Sequence, residues 1–193
     1  MKKYRLETFS DGVIAIIITI MVLNMDVPHG HTIDALVSVI PVFLTYVLSF
    51  VYLGIYWSNH HHLLQAADSV NRPILWANLY LLFWLSLIPF ATGWMGENSF
   101  ARGPAALYGA VLLMSAIAYW ILRRLIVASL APEARHNVVR QKWKGRFTLL
   151  LYGLAIPLAF IWEWLALSLY VLTALLWLVP DRHLDSVNSN TGG

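Results

Sequence analysis

The chain contains no cysteine. That excludes disulfide frameworks, thiolate nucleophiles and cysteine-built zinc sites. It is also short of charge. Asp, Glu, Lys and Arg make up 12% of its residues, where a soluble domain averages about 25%. So few charges cannot cover a soluble core. The same shortage excludes a disordered chain or a coiled coil. Linker-like Gly or Ser runs are missing, and so is any internal duplication. The chain therefore reads as one unit. What is present is apolar: 59% of the 193 residues are hydrophobic, with nine Trp and nine Tyr, and the mean hydropathy is +0.65. The pI near 9.3 invites a nucleic-acid reading, but the net charge is only +3. The position of those charges decides between partners.

A bilayer core needs roughly 20 apolar residues per helix. Six segments qualify, at about 6–26, 35–62, 73–95, 104–128, 147–162 and 164–179. The last two divide one long apolar stretch, with a tight turn expected at Glu163, where no Gly or Pro marks it. Pro89 and Pro157 should kink the third and fifth helices. Many of the Trp fall near span ends, as interfacial anchors do. With the N-terminus inside, every Lys and Arg except Arg102 falls on the inner side: Lys2, Lys3, Arg5, Arg72, Arg123, Arg124, Arg135, Arg140, Lys142, Lys144, Arg146 and Arg182. Both termini are then cytoplasmic. The basic cluster between the fourth and fifth spans becomes a topology anchor beside anionic lipid rather than a nucleic-acid patch. The expected fold is all-α, with six transmembrane helices in one unit over 1–182. The polar, small-residue tail at 183–193 is expected to be disordered. Lys2-Lys3 followed by an apolar run outlines a signal peptide. Asn24-Met25-Asp26 offers no small-residue cleavage site, and Asp11 interrupts the run, so that reading is rejected.

The first span carries the most information. A charged residue this close to a membrane helix marks a functional site by default. At about 100° per residue, Arg5, Phe9, Gly12, Ile16, Ile20 and Leu23 share one stripe, with Thr19 on its flank. Glu7, Ser10 and Asp11 fall on the far side. Periodicity leaves open whether the apolar stripe faces lipid, a neighbouring helix or a pore. The second span ends Tyr56-Trp57-Ser58-Asn59-His60-His61-His62. Three adjacent His cannot chelate one ion from a helix, and none has an i, i+4 partner there. No metal and no cofactor is expected. The second span runs back to the depth of Asp11, so Trp57, Asn59, His60 and His61 are candidate donors to it in a buried polar cluster. Asp26 and Asp34, at the outer end, read most simply as solvated loop acids.

The Arg5-x-x-x-Phe9-Ser10-Asp11 motif, with Trp57-x-x-His60-His61, resembles the signature of the transmembrane-protein-175 family of potassium channels. The resemblance extends over about 5–182 in helix count, loop lengths and charge bias. His62 is an addition to the pattern. The resemblance implies a potassium-selective channel, not an enzyme, in a prokaryotic plasma membrane. It implies a homotetramer of single units around a pore lined by the first helix. It places a hydrophobic constriction at Ile16, then Ile20 and Leu23, with Thr19 in a selectivity layer. Arg5, Phe9, Ser10 and Asp11 then hold helices together rather than touch ions. No Thr-Val-Gly-Tyr-Gly-like loop occurs, so a carbonyl filter is not expected. An ion would shed water at an Ile ring, which potassium does more cheaply than sodium. The alternative is an ion-coupled transporter using Asp11 and His60, His61 and His62. That class places ionisable groups near the midplane on interrupted helices; here they sit at one end of an unbroken one.

Overall fold

The computed structural model describes residues 3–67, 69–130 and 142–179. The tail expected to be disordered, and much of the basic cluster before the fifth span, lie outside the described residues. The described residues form eight helices: α1 (Lys3–Leu23), α2 (Ile33–Val37), α3 (Ile40–Ala66), α4 (Arg72–Ser86), α5 (Ile88–Glu97), α6 (Arg102–Ser129), α7 (Lys142–Ile161) and α8 (Glu163–Leu178). Five stretches are long and apolar enough to cross a membrane: α1, α3, α4 with α5, α6, and α7 from Trp143. The shorter α8 is also apolar. At about 1.5 Å per residue its 16 residues span roughly 24 Å, short of a ~30 Å hydrocarbon core.

Each boundary has a local cause. Asn71 caps α4 by accepting from the Ile74 amide at 3.0 Å, and Pro73 follows in the first turn, where no N–H is needed. The third apolar segment is kinked as expected: Leu87 between α4 and α5 keeps helical angles, with φ −85° and ψ −11°, and the two helices form one apolar span. Pro89 has no amide to donate and its ring would collide with the Leu85 carbonyl, so the regular helix is interrupted at Leu87 and resumes as α5. In contrast, α7 runs on through Pro157. The second apolar segment begins with the separate turn of α2, and α3 starts only at Ile40.

The turn between α7 and α8 falls at Trp162, whose φ of −152° and ψ of 101° are extended. Arg102, from the start of α6, holds this turn. Its Nη1 donates to the Phe160 carbonyl at 3.1 Å and its Nε to Glu163 Oε2 at 3.3 Å. The guanidinium thus satisfies an orphan carbonyl of α7 and pairs the acid at the start of α8.

The long α6 is the central helix, packed on α4, α5, α7 and α8, and α7 and α8 form a hairpin beside it. Close approach is set by small residues, as in membrane bundles generally. A Cβ at Gly96 would stand 2.7 Å from the Val42 backbone, so α3 and α5 meet there with no room for a side chain. Deep in the bundle, Tyr52, Tyr108, Tyr152 and Tyr170 form a contiguous aromatic layer. Their hydroxyls are used internally: Tyr170 donates to the Ala105 carbonyl, Tyr52 to the Tyr170 carbonyl, and Tyr108 bonds Ser49. Against this scaffold α1 lies to one side, on α3, α4 and α5.

Candidate functional site

The two faces of α1 have different surroundings. Leu6, Ser10, Ile14, Ile17 and Met21 are buried against the bundle. The opposite stripe is uncovered: Arg5, Phe9, Gly12, Ile16, Thr19, Ile20 and Leu23 are all exposed, with Ile16 at 58% and Leu23 at 79%. An open groove of about 460 Å³ runs along its flank, between Ile16 and Ile20 on one side and Pro89 and Phe90 on the other. Thr19 Oγ1 donates to the Ile16 carbonyl at 2.9 Å, which leaves its lone pairs facing outward as acceptors.

The N-terminal end of α1 is tied to α3 by one ladder of three pairs, spaced i, i+4 on each helix. Lys3 Nζ donates to the Gln65 carbonyl at 2.6 Å. Glu7 Oε1 stands 3.1 Å from His61 Nδ1, at ion-pair distance but out of hydrogen-bond alignment. Asp11 Oδ1 accepts from Trp57 Nε1 at 3.0 Å. Each step up α1 is matched by a step down α3, so the pairs fix both the antiparallel direction and the register. Trp57 stacks on His61, and Gln65 Nε2 closes on His61 Nε2 at 2.8 Å.

Beneath the ladder lies a fully buried clamp that reaches a third helix. Ser10 Oγ donates to the Leu6 carbonyl at 2.8 Å. Its lone pair accepts from Asn78 Nδ2 of α4 at 2.9 Å. The other end of that amide, Oδ1, meets His60 Nε2 of α3 at 2.6 Å. Ser10, Asn78 and His60 have no exposed surface. Donor counting fixes the histidine tautomer: the amide oxygen can only accept, so Nε2 carries the hydrogen.

The proposed polar residues therefore divide. Ser10 and His60 meet in the clamp, and Asp11, Trp57 and His61 in the ladder. Asn59 is not part of either: its amide bonds the Ile55 carbonyl of its own helix, and its carbonyl accepts from Tyr119. Arg5 and Phe9 lie on the uncovered stripe. His62 is exposed, edge-on to His61. Asn78 was missed by the sequence reading, and Glu7, though placed on the polar face of the first span, was given no partner. Asn78 could have been found as a lone amide on the stripe Ile74, Asn78, Leu81 and Leu85, all of it buried. Among the described residues no group of three His, Asp or Glu side chains is placed to hold a metal.

Comparison with known proteins bears on what such a helix could do. The family model described as endosomal/lysosomal potassium channel TMEM175 matches residues 5–89, the part that holds the clamp and every pair of the ladder except Lys3–Gln65. A potassium channel of Chryseobacterium sp. (strain P1-3) is 49% identical over 96% of this chain and 97% of its own length. The chain belongs to the TMEM175 family. A solved structure of a lysosomal potassium-selective channel TMEM175 homolog from Chamaesiphon minutus superposes with a TM-score of 0.80 at 28% identity, covering 97% of this chain and 98% of that one. The human endosomal/lysosomal proton channel TMEM175 is 32% identical over 116 residues, 54% of this chain and 23% of its own length. The TMEM175 fold here is thus an all-α, multi-span membrane protein, of a family of channels rather than enzymes.

Proposed function

We propose that this protein is a potassium-selective channel of a prokaryotic plasma membrane, formed by four copies around the uncovered stripe of α1. The observation that carries the reading is that stripe itself. A membrane helix that buries Leu6, Ile14, Ile17 and Met21 and leaves Ile16, Thr19, Ile20 and Leu23 uncovered has a second face to account for. Similarity to potassium channels over nearly the whole chain favours a pore as the answer. All six apolar segments cross the membrane in this proposal, α4 and α5 together making one of them, with both termini cytoplasmic, and residues 1–182 act as one unit.

In this arrangement Ile16, Ile20 and Leu23 form successive rings at i, i+4 and i+7. Ile16 is the narrowest and serves as both filter and gate. At an apolar ring an ion gives up water with little in return, which disfavours sodium more than potassium, and further narrowing dewets and closes the path. Thr19 hydroxyl oxygens, their hydrogens committed to Ile16 carbonyls, return part of the lost coordination. The ladder and clamp hold α1 at a fixed rotation. Arg5 and Phe9 support the same inner end, and no protein-bound cofactor is required.

The test is a planar-bilayer recording of purified protein under a potassium–sodium gradient. Unitary currents reversing toward the potassium equilibrium potential are expected. Slow coupled flux without unitary steps would instead support a transporter built on Asp11 and the histidines.

A further inference from the structure

The polar ties of α1 all start at its N-terminal end. Lys3, Glu7, Ser10 and Asp11 reach α3 or α4. Beyond Asp11, among the described residues, no hydrogen bond or ion pair joins α1 to another helix. Thr19 bonds within its own helix, and Ile14, Ile17 and Met21 hold the rest by apolar packing. Gly12 stands where the tied part ends. A Cβ there would meet nothing within 4 Å, so no close approach inside the chain calls for glycine. What glycine supplies is a backbone that leaves the regular helix more cheaply than alanine would.

The groove lies on one side only of the uncovered stripe. Val13, Ile16, Ile17 and Ile20 line it from α1, with Ser86 and Phe90 in the facing wall. At about 100° per residue, Ile20, Val13 and Ile17 stand roughly 40°, 60° and 100° from Ile16 toward the groove. Gly12, Thr19 and Ala15 stand roughly 40°, 60° and 100° from it the other way. The groove has room for aliphatic side chains. It holds about 460 Å³, and a cavity of about 150 Å³ already accepts a benzene.

We propose that the pore opens when α1 beyond Gly12 turns by about 50° about its own axis, carrying Ile16 and Ile20 into the groove and Thr19 and Ala15 toward the pore line. The turn rests on the pore proposed above. Two or three residues after Asp11 that tighten from about 3.6 to about 3.0 residues per turn supply it, at about 20° each. The sense agrees, because tightening advances every later residue and so moves Ile16 toward the place of Ile20, on the groove side. The ladder and clamp stay intact, since the residues that form them precede the joint. Ile16 and Ile20 gain cover as Met21 loses it, so apolar burial is exchanged rather than given up. The ring changes from isoleucine to smaller side chains, and Thr19 brings its hydroxyl oxygen to the ion.

The test is single-channel recording of purified variants. Ser86 lies on α4, off the pore stripe, and its hydroxyl bonds the Phe83 carbonyl of its own helix. Ser86→Leu fills the groove and should lower open probability about tenfold, the low end of the cost of overpacking. The openings that remain should keep the wild-type unitary conductance and reversal potential. Gly12→Ala should lower open probability about fivefold, the weight of glycine against alanine in a helix. Its thermal melt should be no lower than that of wild type, and it tests the turn independently of how Ser86→Leu folds. A lock should do the reverse. The chain has no native cysteine, so Ile20→Cys with Phe90→Cys places a single thiol pair across the groove. Oxidation of that pair should hold the channel open, and a reductant should release it. Wild-type open probability in both Ser86→Leu and Gly12→Ala would overturn the turn and leave the pore standing. So would a formed disulfide that closes the channel or leaves its open probability unaltered. A wild type that never conducts would instead overturn the pore itself.

Discussion

Ile16→Asn should raise the potassium current about tenfold and admit sodium. The side chain is 58% exposed on the uncovered face of α1 and has no partner helix to lose, so the bundle itself has little reason to resist the change. Asparagine has the same number of side-chain heavy atoms but is smaller and offers a donor and an acceptor where isoleucine offers neither. In a ring it would return hydrogen bonds to water and coordination to ions, lowering the dehydration barrier and favouring the wet state. A barrier lowered by about 1.4 kcal/mol is a tenfold gain in rate. Reversal potentials under a potassium–sodium gradient should move toward the nonselective value. The same substitution at Leu44, exposed on α3, should cost stability or membrane insertion without opening a path. Unchanged current and selectivity in Ile16→Asn would move the constriction off this ring, with Thr19 the next position outward.

Asn78→Leu should have the opposite character: a large loss of stability with selectivity intact in whatever channel survives. The amide joins three helices from a site with no solvent access. Leucine removes both bonds and leaves the His60 Nε2–H buried with nothing to donate to. An orphaned buried donor costs about 1–3 kcal/mol. That exceeds the average of ~0.6 kcal/mol for a single interhelical hydrogen bond in a membrane, where the unfolded reference also finds partners. Ser10 loses less, because its own hydrogen remains on the Leu6 carbonyl. Thermal melts in detergent should show a clear drop. Asp11→Ala should show a smaller one, since Asp11 is only partly buried and gives up one bond, to Trp57. A normal melt with altered permeability in Asn78→Leu would place that amide in the conduction path instead.

The particular residues show what the sequence made legible. The division of α1 into an apolar stripe and a polar face at its N-terminal end follows from 3.6-residue periodicity alone, and in the structure the stripe is uncovered while Glu7, Ser10 and Asp11 face the bundle. The split of the last apolar stretch near Glu163 was readable from length: one ordinary helix cannot use so many apolar residues in a bilayer. Its mechanism was not readable, because Arg102 lies some sixty residues away and neither Gly nor Pro marks the turn. Pro89 announced a kink, and the structure has it two residues earlier, at Leu87, because the proline ring acts on the turn that precedes it. The polar cluster was placed at the right depth by antiparallel geometry. The pairing inside it was not, because a ladder partner depends on the rotation of both helices. Asn78 is not legible in the same way, because an uncharged amide in an apolar run lacks the charge that marks a membrane residue as costly.

The central claim is that the uncovered stripe of α1 becomes the inside of a pore, and the absence of native cysteine makes it directly testable. The measurement is block of potassium current by a water-soluble cationic thiol reagent, comparing Leu23→Cys with Leu154→Cys. Both positions are exposed in the single chain, at 79% and 57%, but Leu154 lies on α7, away from α1. Current through Leu23→Cys should fall on modification, while the wild type and Leu154→Cys should not respond. Unaltered current in a fully modified Leu23→Cys protein would contradict a pore lined by this helix.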